Sequence, residues 1–178
     1  MKDKFNPPEI LSIIQKLKYK AAAGPIIIIV LSFVIHLLTK ADFTKYIAVF
    51  GVLLFYLILI KYKVKKILPN TDDNTIISPL NGKIIKVENG EIVLKKGGFQ
   101  SAEIRYPANF KVKYNFFAKR IFLIDVESRV QGQLIGAAPY ITGCSIKIPA
   151  DFKIIVSVGD SVNSGETILA NRKTNEEL

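Results

Sequence analysis

AAAGPIIIIVLSFVIHLL (Ala21–Leu38) and YIAVFGVLLFYLILI (Tyr46–Ile60) carry no charged residue between them and decide the architecture. At about 1.5 Å of rise per residue the first stretch reaches ~27 Å as a helix, close to the ~30 Å of a bilayer's hydrocarbon core. The second reaches ~22 Å, and Lys45 and Lys61 at its ends can extend their ammonium groups to the interface. Only TKADFTK (Thr39–Lys45) separates them, so short a link that the two segments must be antiparallel neighbours. The expected element is a transmembrane helical hairpin. A buried helical pair in a soluble core is the competing reading, but a chain of 178 residues has little with which to cover both segments.

The positive charge gathers around that hairpin. The net charge is +10, and residues 1–66 hold 11 lysines against Asp3, Glu9 and Asp42. Lysine placed this way fits anionic lipid headgroups better than nucleic acid, which is excluded as a partner. Lys16, Lys18 and Lys20 precede the first span and Lys61, Lys63, Lys65 and Lys66 follow the second, whereas the connecting loop has Lys40 and Lys45. The positive-inside rule then puts both termini in the cytoplasm. One cysteine, Cys144, allows no internal disulfide and suits a reducing compartment.

Before the first span, Ile10, Leu11, Ile13, Ile14 and Leu17 recur at helical spacing between Glu9 and Lys20. This predicts a short amphipathic helix lying in the membrane interface, with a helix packed on a cytosolic partner as the other reading. Pro25 is expected near the start of the spanning helix, where a missing N–H costs little. His36, the only histidine, lies within that span, so no histidine-based zinc site or catalytic pair can form elsewhere.

After Lys66 the pattern changes. Pro69-Asn70 and Asp72-Asp73-Asn74 mark a turn between an anchor, residues 1–66, and a second domain, residues 67–178. From Thr75 onward short β-rich runs alternate with Gly, Asn and Pro, which predicts a small all-β sandwich or barrel. Lys95-Lys96 before Gly97-Gly98 reads as a solvated charged turn. PLNGKII (Pro79–Ile85) recurs seventy residues later as PADFKII (Pro149–Ile155), followed by VSVGDSVNSGETILA (Val156–Ala170). Two such units facing each other are similar to the barrel-sandwich hybrid of biotinyl and lipoyl domains. Ile84 and Ile154 are then expected to be alike in burial.

The layout also resembles the short membrane-anchored phosphatidylserine decarboxylases of bacteria and archaea. IISPLNGKII (Ile76–Ile85) is similar to their I-S-P-A-D-G-K-V segment, and VGDSVNSGETILA (Val158–Ala170) to their V-G-x-x-V-x-x-G-E-T-V-I-A close. YPANFKVKYN (Tyr106–Asn115) and YITGCSIKIP (Tyr140–Pro149) stand where the family has S-P-x-N-V-H-V-N-R and the L-x-x-F-G-S-R self-cleavage site. The resemblance implies a bacterial or archaeal cytoplasmic membrane protein. In that family a serine attacks the preceding carbonyl, and elimination leaves a pyruvoyl group that serves as electron sink for loss of CO2.

The catalytic positions depart from that pattern. The family's aspartate aligns with Asn81, its histidine with Lys111, and its Gly-Ser bond with Gly143-Cys144-Ser145. Asn81 is no base, and an exposed Lys111 is protonated near neutral pH. The expectation is therefore a decarboxylase relative without pyruvoyl catalysis and without other cofactors, acting as a binding or scaffold module at the membrane surface. Two alternatives stay open. One is an active decarboxylase making phosphatidylethanolamine with a pyruvoyl group derived from Cys144 or Ser145. The other is an anchored adaptor for a protein partner. The phospholipid membrane is the expected partner, with an aminophospholipid and a further copy of the chain left open.

Overall fold

The computed structural model describes residues 5–66, 73–124 and 130–173. Two helices come first, α1 over Pro8–Thr39 and α2 over Phe43–Lys61. Both are long and apolar enough to cross a membrane, and only 17% and 11% of their most apolar windows are buried. Leu31, Phe33, Leu38, Phe50 and Leu53 all face outward, so the rest of this chain does not cover them as it would a core helix. At the tip Lys40 adopts a left-handed conformation (φ 54°) and its N–H donates to His36 O, closing α1. His36 Nδ1 lies 3.1 Å from Ala41 O and 3.0 Å from Thr44 Oγ1, so the lone histidine ties the end of α1 to the start of α2. The helices approach closely where α2 has Gly51. A Cβ there would lie 2.8 Å from Ile29 Cγ1 and 3.4 Å from Pro25 O.

Two expectations change here. The amphipathic stretch and the first span form one continuous helix of 32 residues, ~48 Å long, which no ~30 Å core can contain. Its first turns therefore project from the apolar segment instead of turning into a separate interfacial helix, and Ile10 and Ile14 are buried against the β-rich region. For the same reason Pro25 lies well inside a helix and not at its start.

The β-rich region comprises β1 (Thr75–Ile77), β2 (Gly82–Glu88), β3 (Glu91–Lys96), β4 (Glu103–Arg105), β5 (Lys113–Ala118) and β6 (Phe122–Leu123). It continues with β7 (Leu134–Ala137), β8 (Thr142–Lys147), β9 (Phe152–Ile154), β10 (Ser161–Val162) and β11 (Ile168–Arg172). Among the described residues these form three antiparallel sheets, ordered β10-β2-β3-β8-β5, β1-β11-β9 and β4-β7-β6, and none closes on itself into a barrel. The tightest connection is Asn89-Gly90 between β2 and β3, with both residues at positive φ (50° and 72°) as a two-residue hairpin turn of this twist requires. The boundary turn expected at Pro69-Asn70 lies outside the described residues.

The recurrent PxxxKII units fall in different sheets, β2 in the five-stranded one and β9 at the edge of β1-β11-β9. Their alternation is in phase, since Ile85 and Ile155 are both half-exposed (49% and 50%). Their burial is not equal. Ile84 is 1% exposed, whereas Ile154 is only partly buried against the same core. β9 is three residues long and has a neighbour on one side only, which leaves its inward side chain less covered.

A second apolar cluster joins the helices to the β-rich region. It contains Ile10 and Ile14 of α1, Tyr62 just after α2, and Ala102, Leu134 and Ala137. Backbone bonds run through it, from Leu134 N–H to Phe5 O (2.8 Å) and from Ala102 N–H to Lys61 O (2.9 Å). Beside it Arg105 and Glu103 form an ion pair with both side chains fully buried (2.9 Å). Arg105 also donates to Lys65 O (2.6 Å) and Gly132 O (2.7 Å). The chain leaving α2 is thus clamped to β4 within four residues of the helix end.

Candidate functional site

The four residues singled out from the sequence occupy distinct settings. Cys144 sits in β8, the penultimate strand of the five-stranded sheet, opposite Leu94 on one side and Phe116 on the other. Gly143 and Ser145 are paired on both sides as well, so this tripeptide is the interior of a strand. The thiol is fully buried in the main core and its hydrogen-bond partner is Ser145 O at 3.7 Å. Burial pushes the thiol far above its usual range, because a thiolate there would be cut off from water.

Ser145 points the other way, as strand alternation demands. It opens onto a cleft of about 180 Å³ with Glu91, Lys113, Asn115 and Lys147. Lys111 is exposed and lines a neighbouring cleft of about 470 Å³ that shares Lys113 and Lys147. Asn81 lies elsewhere. Its Oδ1 accepts from Ser164 N–H (3.1 Å), while Ser164 Oγ donates to Pro79 O (2.9 Å), so Asn81 pins the turn before β2 to the turn before β11. Its Nδ2 is buried with no partner among the described residues. Ser145 and Lys111 therefore share one basic face, while Cys144 and Asn81 line neither of its clefts.

A different group of residues gathers beside the hairpin. In β3 the inward positions are Ile92, Leu94 and Lys96, and Lys96 is completely buried. The solvated turn expected for Lys95-Lys96 holds for Lys95 alone, because the phase set by Ile92 and Leu94 carries Lys96 into the interior. Its Nζ donates to Gly97 O (3.3 Å) and Tyr140 O (3.4 Å), and among the described residues no carboxylate pairs with it. Burial, with the charge of Lys61 adding to it, brings this amine down to about 8.

Near Lys96 a cleft of about 950 Å³ opens between the end of α2 and the loops around β5 and β8. Lys61, Lys119 and Arg120 supply its charge, and Phe117, Tyr140 and Ile141 its apolar wall. The three apolar side chains are each more than half exposed. An apolar groove of about 290 Å³ meets the cleft at Lys61 and is bounded by Pro25, Leu54, Leu57, Ile58 and Phe99. This site leaves little trace in the sequence, because its cations are separated by some sixty residues and come together only through the packing of α2 against β4. Its one local signal was the phase of β3. No protein-family model, curated protein or solved structure matches the chain.

Proposed function

We propose that this chain is a membrane-anchored module related to the phosphatidylserine decarboxylases that works without a pyruvoyl group, as a binding or scaffold element at the cytoplasmic membrane surface. The observation that carries this reading is the mount. Two apolar helices are held to a β-rich region by buried side chains and backbone bonds, so its cationic and aromatic cleft stands beside the hairpin. The lysine asymmetry supports cytoplasmic termini. The two PxxxKII units, in phase around one core, support a lipoyl-like ancestry for the β-rich region.

The setting of Cys144 supports the absence of self-cleavage. An acyl shift needs a nucleophile that can lose its proton and a carbonyl free to become tetrahedral. Here the thiol is held protonated in the core and the adjoining peptides are engaged in a ladder on both sides.

Membrane fractions washed at alkaline pH test both halves of the reading. The chain should remain in the pellet and give a single intact mass near 19.9 kDa. A fragment of 35 residues beginning at Cys144, or of 34 beginning at Ser145, with a blocked and borohydride-reducible N-terminus would overturn the non-catalytic reading. Release into the wash would overturn the membrane anchor.

A further inference from the structure

The cleft and the groove that meet at Lys61 have the outline of one lipid molecule. The cleft offers three cations, Lys61, Lys119 and Arg120, and among the described residues that line it there is no carboxylate. Arginine and lysine together suit a phosphate, the guanidinium through paired N–H donors and the ammonium as a point charge. The groove is bounded by Pro25, Leu54, Leu57 and Ile58 of the hairpin and by Phe99, which is 76% exposed. A free phosphate or a soluble phosphate ester would use the cations and leave this apolar channel in water. An acyl chain fills it.

The charge pattern also selects the headgroup. An ammonium-bearing headgroup would bring its positive charge toward Lys61, Lys119 and Arg120 with no carboxylate among the described lining residues to receive it. A serine headgroup adds a carboxylate for these cations, but its ammonium meets the same repulsion. It would also lie near Lys96, whose amine has two carbonyls and no carboxylate as partners among the described residues. We propose that this paired site holds a single anionic glycerophospholipid whose headgroup carries no amine, of the phosphatidylglycerol or phosphatidic acid type. The phosphate sits among Lys61, Lys119 and Arg120, and one acyl chain lies along Leu54 and Leu57. The inference rests on the membrane placement proposed above and narrows it to one ligand class, in contrast to the aminophospholipid that the family resemblance implies.

Native mass spectrometry of the delipidated full chain in detergent tests it, with dioleoyl phosphatidylglycerol, phosphatidylserine, phosphatidylethanolamine and phosphatidylcholine added singly. Phosphatidylglycerol should be retained about ten-fold more strongly than the other three. Lys119→Gln/Arg120→Gln should remove that preference, whereas Lys113→Gln/Lys147→Gln, an equal charge change on the basic face that Ser145 shares, should leave it intact. Excess glycerol 3-phosphate should not compete. Retention of phosphatidylserine equal to phosphatidylglycerol would overturn the headgroup assignment, and equal losses in the two double variants would reduce the effect to bulk charge. Competition by glycerol 3-phosphate would show an anion site without an acyl groove. Lys119→Gln alone, at an exposed position, provides the same reading should the double variant lower the melting temperature. A chain that stays in alkaline-washed membranes yet shows no lipid preference would defeat this inference and leave the membrane anchor standing.

Discussion

The main core and the junction cluster are both buried, yet they are built from different kinds of information. The main core collects Ile84, Ile92, Leu94, Cys144 and Ile146 from alternate positions of neighbouring strands, so each strand announces its own inward face. The junction collects Ile10 and Ile14 from a helix, Tyr62 from a helix end and Leu134 from a strand, and no local period links them. Beside it lies a fully buried Arg105–Glu103 pair. The contrast suggests a division of labour. Apolar packing gives the β-rich region its stability, while directional polar bonds set how it is oriented on the hairpin.

The sharpest way to break that contrast is to remove one half of the ion pair. Arg105→Met leaves Glu103 buried without its cation, and Glu103 Oε1 already has no partner among the described residues. The expected loss is about 3–5 kcal/mol in chemical denaturation of the full chain. Glu103→Leu combined with Arg105→Met should recover part of it, since an apolar pair leaves no uncompensated charge while Lys65 O and Gly132 O still lose their donor. A single variant that melts like the parent would show that the pair is hydrated and does not orient the junction.

The main core should respond in proportion to coverage. Ile84→Ala removes a side chain that is 1% exposed and should cost about 2–5 kcal/mol. Ile154→Ala, at the matching position of the other PxxxKII unit but only partly buried, should cost about 0.5–2 kcal/mol. Equal costs at the two positions would restore the strict twofold equivalence that the burial denies.

These residues also show where the sequence was legible. The uncharged runs at 21–38 and 46–60 make two apolar helices on length alone, and the short runs after Thr75 do form strands. Alternation even fixes the phase of Ile84–Ile85 and Ile154–Ile155. Burial depth was not legible, because it depends on whether a strand has one neighbour or two. Nor was the continuity of α1 through Lys20, since the switch from amphipathic to wholly apolar reads as a break although the backbone continues. The cleft was hidden for a related reason. Lys61, Lys119 and Arg120 are ordinary surface cations until the bonds from Ala102 to Lys61 and from Arg105 to Lys65 bring distant segments side by side.

Lys96 gives the most specific effect. In the folded chain its amine sits at about 8, below the ~10.4 of an exposed lysine, because burial and the nearby Lys61 penalise the charged form. Between about pH 8 and 10.5 the unfolded chain therefore binds more protons than the folded one, and stability rises with pH across that window. Below about pH 8 both states are protonated and the penalty for burying the charge is constant. Lys96→Met keeps a long unbranched side chain and removes the charge. It should exceed the parent in stability at pH 7 by on the order of 1–2 kcal/mol, allowing for partial screening of the amine. That advantage should shrink steadily from pH 8 to 10.5 when the two proteins are denatured in parallel, so that titration of all other groups cancels. A difference that stays level across the window would mean the amine is solvated in both states. A difference that widens would mean the folded chain stabilises the ammonium, and the two carbonyls of Gly97 and Tyr140 would then be stronger partners than their 3.3 and 3.4 Å separations indicate.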